Sequence, residues 1–103
     1  MENRVFKLLF KIRKCPGLYL GKKSLEILKI FIDGYICAMN EVGLDSGKDM
    51  YYDFNDWVQK KYNIRNPILW DTYLPNICGN SDDAFELFYK ELDLYINDVQ
   101  IVQ

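Results

Sequence analysis

Side chains able to do acid–base or covalent chemistry are few in this chain, and they are badly spaced for it. Histidine is absent, which removes the commonest general base and the commonest metal ligand. Cys15, Cys37 and Cys78 are odd in number, far apart and without a Cys-x-x-Cys pair. They read as reduced thiols of a cytoplasmic protein, not as a disulfide framework or a zinc site. Carboxylate pairs remain. Asp45 and Asp49 stand four apart but lack the ligand ladder of a calcium loop. Asp82 and Asp83 follow Asn80-Ser81, where the caps and first-turn acids of a helix belong. Gly21-Lys22-Lys23 ahead of a helix has the ingredients for seating an anion, yet the Gly-x-x-x-x-Gly-Lys-Ser/Thr spacing of a P-loop is missing. The expectation is therefore no catalytic residue, no metal and no cofactor; an enzyme here would have to work with carboxylates, tyrosines or thiols alone.

Charge is laid out with more order. Met1 to Phe31 carries Arg4, Lys7, Lys11, Arg13, Lys14, Lys22, Lys23 and Lys29 against Glu2 and Glu26. Asp71 to Gln103 carries Asp71, Asp82, Asp83, Glu86, Glu91, Asp93 and Asp98 against Lys90 alone. The local sums are +6 and −6, so a total of −2 hides a polarised sequence. A sequence pI near 5.0 argues against direct nucleic-acid binding, and the basic stripe of the first helix reads as a solvated face. An acidic surface, in contrast, can steer a basic partner onto itself. The candidate partner-binding residues are Asp71, Tyr73, Asp82, Asp83, Glu86, Tyr89 and Asp93, with Tyr95 nearby as a further aromatic handle. A nuclease needs a basic groove to neutralise phosphates, and such a face would fit that groove.

The elements that must hold these residues are helical. At 103 residues, half of them apolar and 16% aromatic, the chain is one domain, 1–103, with enough material for a core. Val5, Leu8, Leu9 and Ile12 line one face of a first helix over Arg4 to Lys14, and Pro16-Gly17 then turns the chain. Ser24 caps a long second helix, with Ile27, Leu28, Phe31, Tyr35, Ala38 and Met39 as its main apolar stripe. Gly34 inside it costs about 1 kcal/mol of helix propensity, which predicts the close approach of another helix. Asp53 is placed to cap a third helix, Phe54 to Tyr62, and Asn66-Pro67 to start a fourth, Ile68 to Leu74. A last helix follows Asn80, with Phe85, Phe88, Leu92, Tyr95, Ile96 and Val99 inward and Glu86 spaced to pair with Lys90. Tyr19-Leu20 and Met50-Tyr51-Tyr52 are at most short extended pieces. The fold class is all-α: a single-domain bundle of about five helices around a central apolar helix, 24–42. Lys7 and Lys11 interrupt any signal-peptide core, and Glu26, Lys29 and Asp33 mark Leu25–Val42 as a buried helix and not a membrane span.

Two resemblances follow. Arg13-Lys14-Cys15-Pro16-Gly17-Leu18-Tyr19-Leu20-Gly21 resembles a segment near the start of the ATPase domain of type II topoisomerases, which that family follows with a Glu-x-x-x-Asn pair for water activation and magnesium. Here Glu26 is followed four residues on by Ile30, and no Asp-x-Gly-x-Gly succeeds it to bind adenine, so the nucleotide chemistry does not carry over. A longer pattern runs from residue 11 to 96: Lys-x-Pro-Gly-Leu-Tyr-Leu-Gly, then Ser24-Leu25, Leu28, Phe31 and Gly34-Tyr35. After these come Asp53-Phe54-x-x-Trp57-Val58-x-x-Lys61-Tyr62 and Asp83-Ala84-Phe85-x-x-Phe88. This order looks like that of small bacterial proteins encoded beside polymorphic toxins, including immunity proteins of contact-dependent growth inhibition systems. It implies a cytoplasmic antitoxin that binds and neutralises a cognate toxin. With the charge pattern, the expected partner is a basic nuclease domain, an RNase in the first instance. It would be held in a 1:1 complex by an acidic face over its active site, with no nucleic acid or membrane contacted directly. The alternative class is a small regulatory or assembly module that binds another protein through an aromatic surface or the basic first helix.

Overall fold

The computed structural model describes residues 3–99, the side chains of Ser81 and Asp82 excepted. Over those residues the chain forms six helices and no strand: α1 (Arg4–Lys14), α2 (Pro16–Leu20), α3 (Leu25–Glu41), α4 (Lys48–Lys61), α5 (Trp70–Cys78) and α6 (Ser81–Val99). The fold is all-α, as periodicity predicts. No helix among the described residues is long and apolar enough to cross a membrane.

Local chemistry sets the helix ends. The Asn3 carboxamide caps α1 by accepting from the Phe6 N–H at 3.1 Å, and its NH2 donates to the Gly47 carbonyl at 3.0 Å. The Val5 N–H, a donor that no helix turn would satisfy, reaches the Ser46 carbonyl at 2.9 Å. One residue thus starts α1 and anchors it to the loop before α4. Gly47 sits at φ +84°, and a Cβ there would overlap the Asn3 side chain, so glycine is required twice over. The Ser24 Oγ caps α3 by accepting from the Ile27 N–H at 3.2 Å. At α6 the cap is reciprocal: the Asp83 N–H donates to Asn80 Oδ1 and Asn80 Nδ2 to Asp83 Oδ2, each at 2.8 Å.

Several sequence expectations change. The Pro16-Gly17 turn closes one full helical turn, α2, with Pro16 at its start and Gly21 at φ +81° as its end. Met50–Tyr52 is helical too: Tyr51, Phe54 and Val58 share one buried face of α4, so Asp53 lies inside the helix instead of capping it. Residues 66–69 turn before α5 begins, and Pro75 is accommodated within α5, three residues before its end. No neighbouring atom among the described residues lies within 4 Å of a Cβ built on Gly34, so none of the six helices makes the expected approach.

The centre also shifts. Helix α3 touches α1, α2, α5 and α6, yet it buries only Leu25, Leu28, Ile32 and Ile36 and leaves Ile30 66% exposed. The spine of the core is α6, which buries Ala84, Phe85, Phe88, Tyr89, Leu92 and Tyr95. Its rings engage those of the other helices: Phe88 packs on Phe54 (5.5 Å between centroids) and Trp70 (4.4 Å), and Tyr95 on Phe54 (5.4 Å) and Phe6 (6.2 Å). The aromatic content is spent mostly here.

Candidate functional site

Folding brings the two oppositely charged ends of the sequence together. Arg13 of α1 meets Asp93 of α6 at 2.9 Å and lies over the Tyr89 ring, and Lys23, ahead of α3, meets Glu86 at 3.0 Å. Much of the acidity read along α6 is therefore matched inside the molecule. Glu86 takes Lys23 instead of Lys90, because the chain before α3 passes over that turn of α6.

The expected acidic, tyrosine-bearing face is not assembled. Tyr73 is buried and donates to Asn55 Oδ1 at 2.8 Å. Tyr89 is buried and donates to the Leu9 carbonyl at 2.7 Å, and Tyr95, also buried, donates to Asp53 Oδ2 at 2.7 Å. All three are core donors, their hydroxyls pushed above the ordinary tyrosine range chiefly by burial. Asp71 is half-buried on α5, where burial raises its carboxyl and Lys29 opposes the shift. Asp83 is exposed but engaged in the α6 cap. Glu86 and Asp93 are in ion pairs, and the Asp82 side chain lies outside the described residues.

A different acidic surface is present on α4. Asp49, Asp53 and Asp56, spaced four and three residues apart, fall on the side of α4 opposite Phe54 and Val58, and all are exposed. None is in a salt bridge among the described residues. Tyr52, 48% exposed, flanks them; no other aromatic among the described residues is as exposed. Two acids of this region are held rigidly. The Tyr95 hydroxyl fixes Asp53, and the Trp57 indole N–H donates to Asp98 Oδ2 at 2.9 Å. Trp57 packs edge-on against Tyr95 at 5.7 Å and, with Lys60, Lys61, Leu94, Asn97 and Asp98, lines an open groove of about 690 Å³ between α4 and α6. Sequence reasoning passed over this stripe because the segment's net charge is small. The spacing of Asp49, Asp53 and Asp56 was the available signal, once the helix is allowed to start at Lys48.

Beneath the groove lies Glu91, turned inward from α6 and 1% exposed. It accepts from Lys61 Nζ at 2.6 Å and from the Tyr62 hydroxyl, joining the middle of α6 to the end of α4. Burial first, and then the hydrogen bond to Glu91, pushes the Tyr62 hydroxyl up to about 12. Lys61 also lies 5.5 Å from the Trp57 ring centroid, so Glu91 positions the cation that flanks the indole. Cys78 is half-buried with its thiol raised by burial, whereas Cys15 and Cys37 are exposed. Among the described residues no three His, Cys, Asp or Glu side chains gather as a metal site. What the arrangement offers is recognition: preorganised carboxylates, an indole held at a groove, and a flanking tyrosine.

Comparison with protein-family models, with curated proteins and with solved structures gives no match, so the argument for function rests on this geometry and on charge.

Proposed function

We propose that this chain is a non-enzymatic binding protein that neutralises a cognate toxin, a basic nuclease domain and in the first instance an RNase, by covering it in a 1:1 complex in the bacterial cytoplasm. The observation that carries the reading is the α4 stripe of Asp49, Asp53 and Asp56, exposed and without ion pairs among the described residues, while Glu86, Glu91 and Asp93 of α6 are matched internally. A row of carboxylates outside any ion pair among the described residues, ending at Lys60 one turn beyond Asp56, presents charges where phosphates would sit in a basic groove. Asp53 and Asp98 are held by Tyr95 and Trp57, so less side-chain freedom is lost on binding. Tyr52 on one flank and Trp57 with Leu94 on the other supply the apolar anchors that such an interface needs. Acting by occlusion, the protein itself touches neither nucleic acid nor membrane and needs no cofactor.

The test is co-expression of the tagged chain with its upstream neighbouring reading frame. A stoichiometric complex with a basic protein that is toxic when expressed alone supports the reading. Asp49→Lys with Asp56→Lys should then lower the association rate about tenfold or more at low salt. Asp83→Lys should have little effect. A complex indifferent to the α4 reversals would overturn the acidic-face assignment.

A further inference from the structure

We infer that the outward face of α3 is the seam of an antiparallel homodimer. This inference is independent of the proposed function and of the α4 surface. Ile27, Ile30, Gly34, Cys37 and Glu41 recur in alternating steps of three and four along the side of α3 opposite Leu28, Ile32 and Ile36. That is the a/d spacing of a two-helix seam, a second apolar stripe on a helix whose first stripe already faces the core. Ile27, at one end, is half-buried against the core, and the other members are open. Ile30 is 66% exposed, Cys37 and Ala38 are exposed, and open space surrounds Gly34 where a Cβ would stand. Beyond the helix Val42 is 65% exposed. Leu18, 79% exposed on α2, widens the apolar area where Tyr19 packs edge-on against Phe31 of α3.

A second copy is the occupant that this face fits. In an antiparallel pair, residues from the a and d positions meet in layers, and the register that seats Ile30 of each copy over Gly34 of the other also sets Ile27 against Cys37. The same register brings residue 41 opposite residue 23 and residue 42 opposite residue 22. Glu41 then faces the Lys22-Lys23 end of the other copy. Lys23 is already paired with Glu86, but Lys22 and Glu41 are both exposed and make no ion pair among the described residues. One register thus fills the notch at Gly34 and brings Glu41 to the Lys22 end of the other copy, once at each end, as a two-fold axis requires. A parallel pair would bring Glu41 to Glu41 and Lys22 to Lys22. A glycine facing solvent in the single chain becomes, in the pair, the position that admits the isoleucine.

Sedimentation equilibrium of the full chain at high micromolar concentration should give twice the 12.2 kDa chain mass. Ile30→Lys and Gly34→Leu should each halve that mass with the helical circular dichroism unchanged, because neither position is packed in the single chain. Leu44→Lys, an exposed apolar position outside the seam, should leave the dimer intact. Lys22→Glu should weaken the pair, and adding Glu41→Lys should restore it, which a merely apolar contact would not show. A wild-type chain of 12.2 kDa at every concentration would overturn the inference. So would a dimer that survives both Ile30→Lys and Gly34→Leu.

Discussion

Removing Lys61 should damage this protein far more than neutralising its partner Glu91, although the two form a single ion pair. The pair is lopsided: the Lys61 side chain is 39% exposed, whereas that of Glu91 is 1% exposed. In Lys61→Met the Glu91 carboxylate stays in the interior with only the Tyr62 hydroxyl to hold it. Breaking a buried pair so that one charge is stranded costs about 3–5 kcal/mol, out of a total stability of about 5–15 kcal/mol for a domain. In Glu91→Gln the interior keeps a carbonyl oxygen for Tyr62, and the Lys61 ammonium swings into solvent. What is lost is the hydrogen bond from Lys61 and the charged character of the one from Tyr62, with the new amide NH2 left facing the place of the ammonium, offset by an easier burial, for a net cost of about 1–3 kcal/mol. The double variant Lys61→Met with Glu91→Gln should be more stable than Lys61→Met alone, which is the signature of the stranded charge. Urea denaturation of all four proteins at pH 7 reads this directly, provided that the dependence on denaturant is unchanged. In thermal unfolding, each 1 kcal/mol corresponds to about 4–8 °C for a domain near this size. Equal costs for the two single variants, or the larger cost for Glu91→Gln, would refute the reasoning and mean that Glu91 is not stranded when Lys61 is removed.

Gly47→Ala should cost about 2 kcal/mol or more, from a left-handed backbone without glycine and from displacement of the Asn3 cap of α1; Asn3→Ala should cost only the cap's share, about 1 kcal/mol, in thermal melts. Tyr89→Phe should cost about 1 kcal/mol by removing its hydrogen bond to the Leu9 carbonyl, which keeps its helical donor within α1, with no change in partner binding, since Tyr89 is a core residue. Ser46→Ala should be neutral or stabilising in the same melts, because the buried Ser46 Oγ has no hydrogen-bond partner among the described residues. Tyr62 is held protonated up to about 12 in the fold against 10.0 ordinarily. Its contribution is therefore fully present below pH 10, where folded and unfolded chains both carry the proton. It is lost as pH rises from there through about 12, because the unfolded chain releases the proton first. Denaturant midpoints should fall over that window, and less steeply in Tyr62→Phe.

What the sequence revealed depended on whether a signal was local. The helices α1, α3 and α6 follow from apolar spacing, and their caps at Ser24 and Asn80 act through side chains within three residues. The Asn3 cap is just as local, but its second role, holding Gly47, joins residues 44 apart and leaves no signal in the sequence. Helix α4 was read too short because Met50-Tyr51-Tyr52 resembles a strand by residue type. Tertiary burial of Tyr51 beside Trp70 settles it as helix. The site was less legible than the fold. Charge summed along the chain placed the acidic face on α6, but ion pairs form across space, and Arg13 and Lys23 reach Asp93 and Glu86 from 80 and 63 residues away. Tyrosine type alone does not distinguish a core donor from a surface anchor. Tyr73, Tyr89 and Tyr95 proved to be the former because Asn55 and Leu9 offer acceptors inside the fold and Asp53 one at its edge.

The measurement closest to the central claim is the association rate of the chain with the basic partner that co-purifies with it, followed against ionic strength for wild type and for Asp49→Lys with Asp56→Lys. If the α4 carboxylates steer and occlude that partner, the wild-type rate falls steeply with salt, and the variant starts lower with a much flatter dependence. Equal rates and parallel salt dependences in the two proteins would contradict the account and place recognition on another surface.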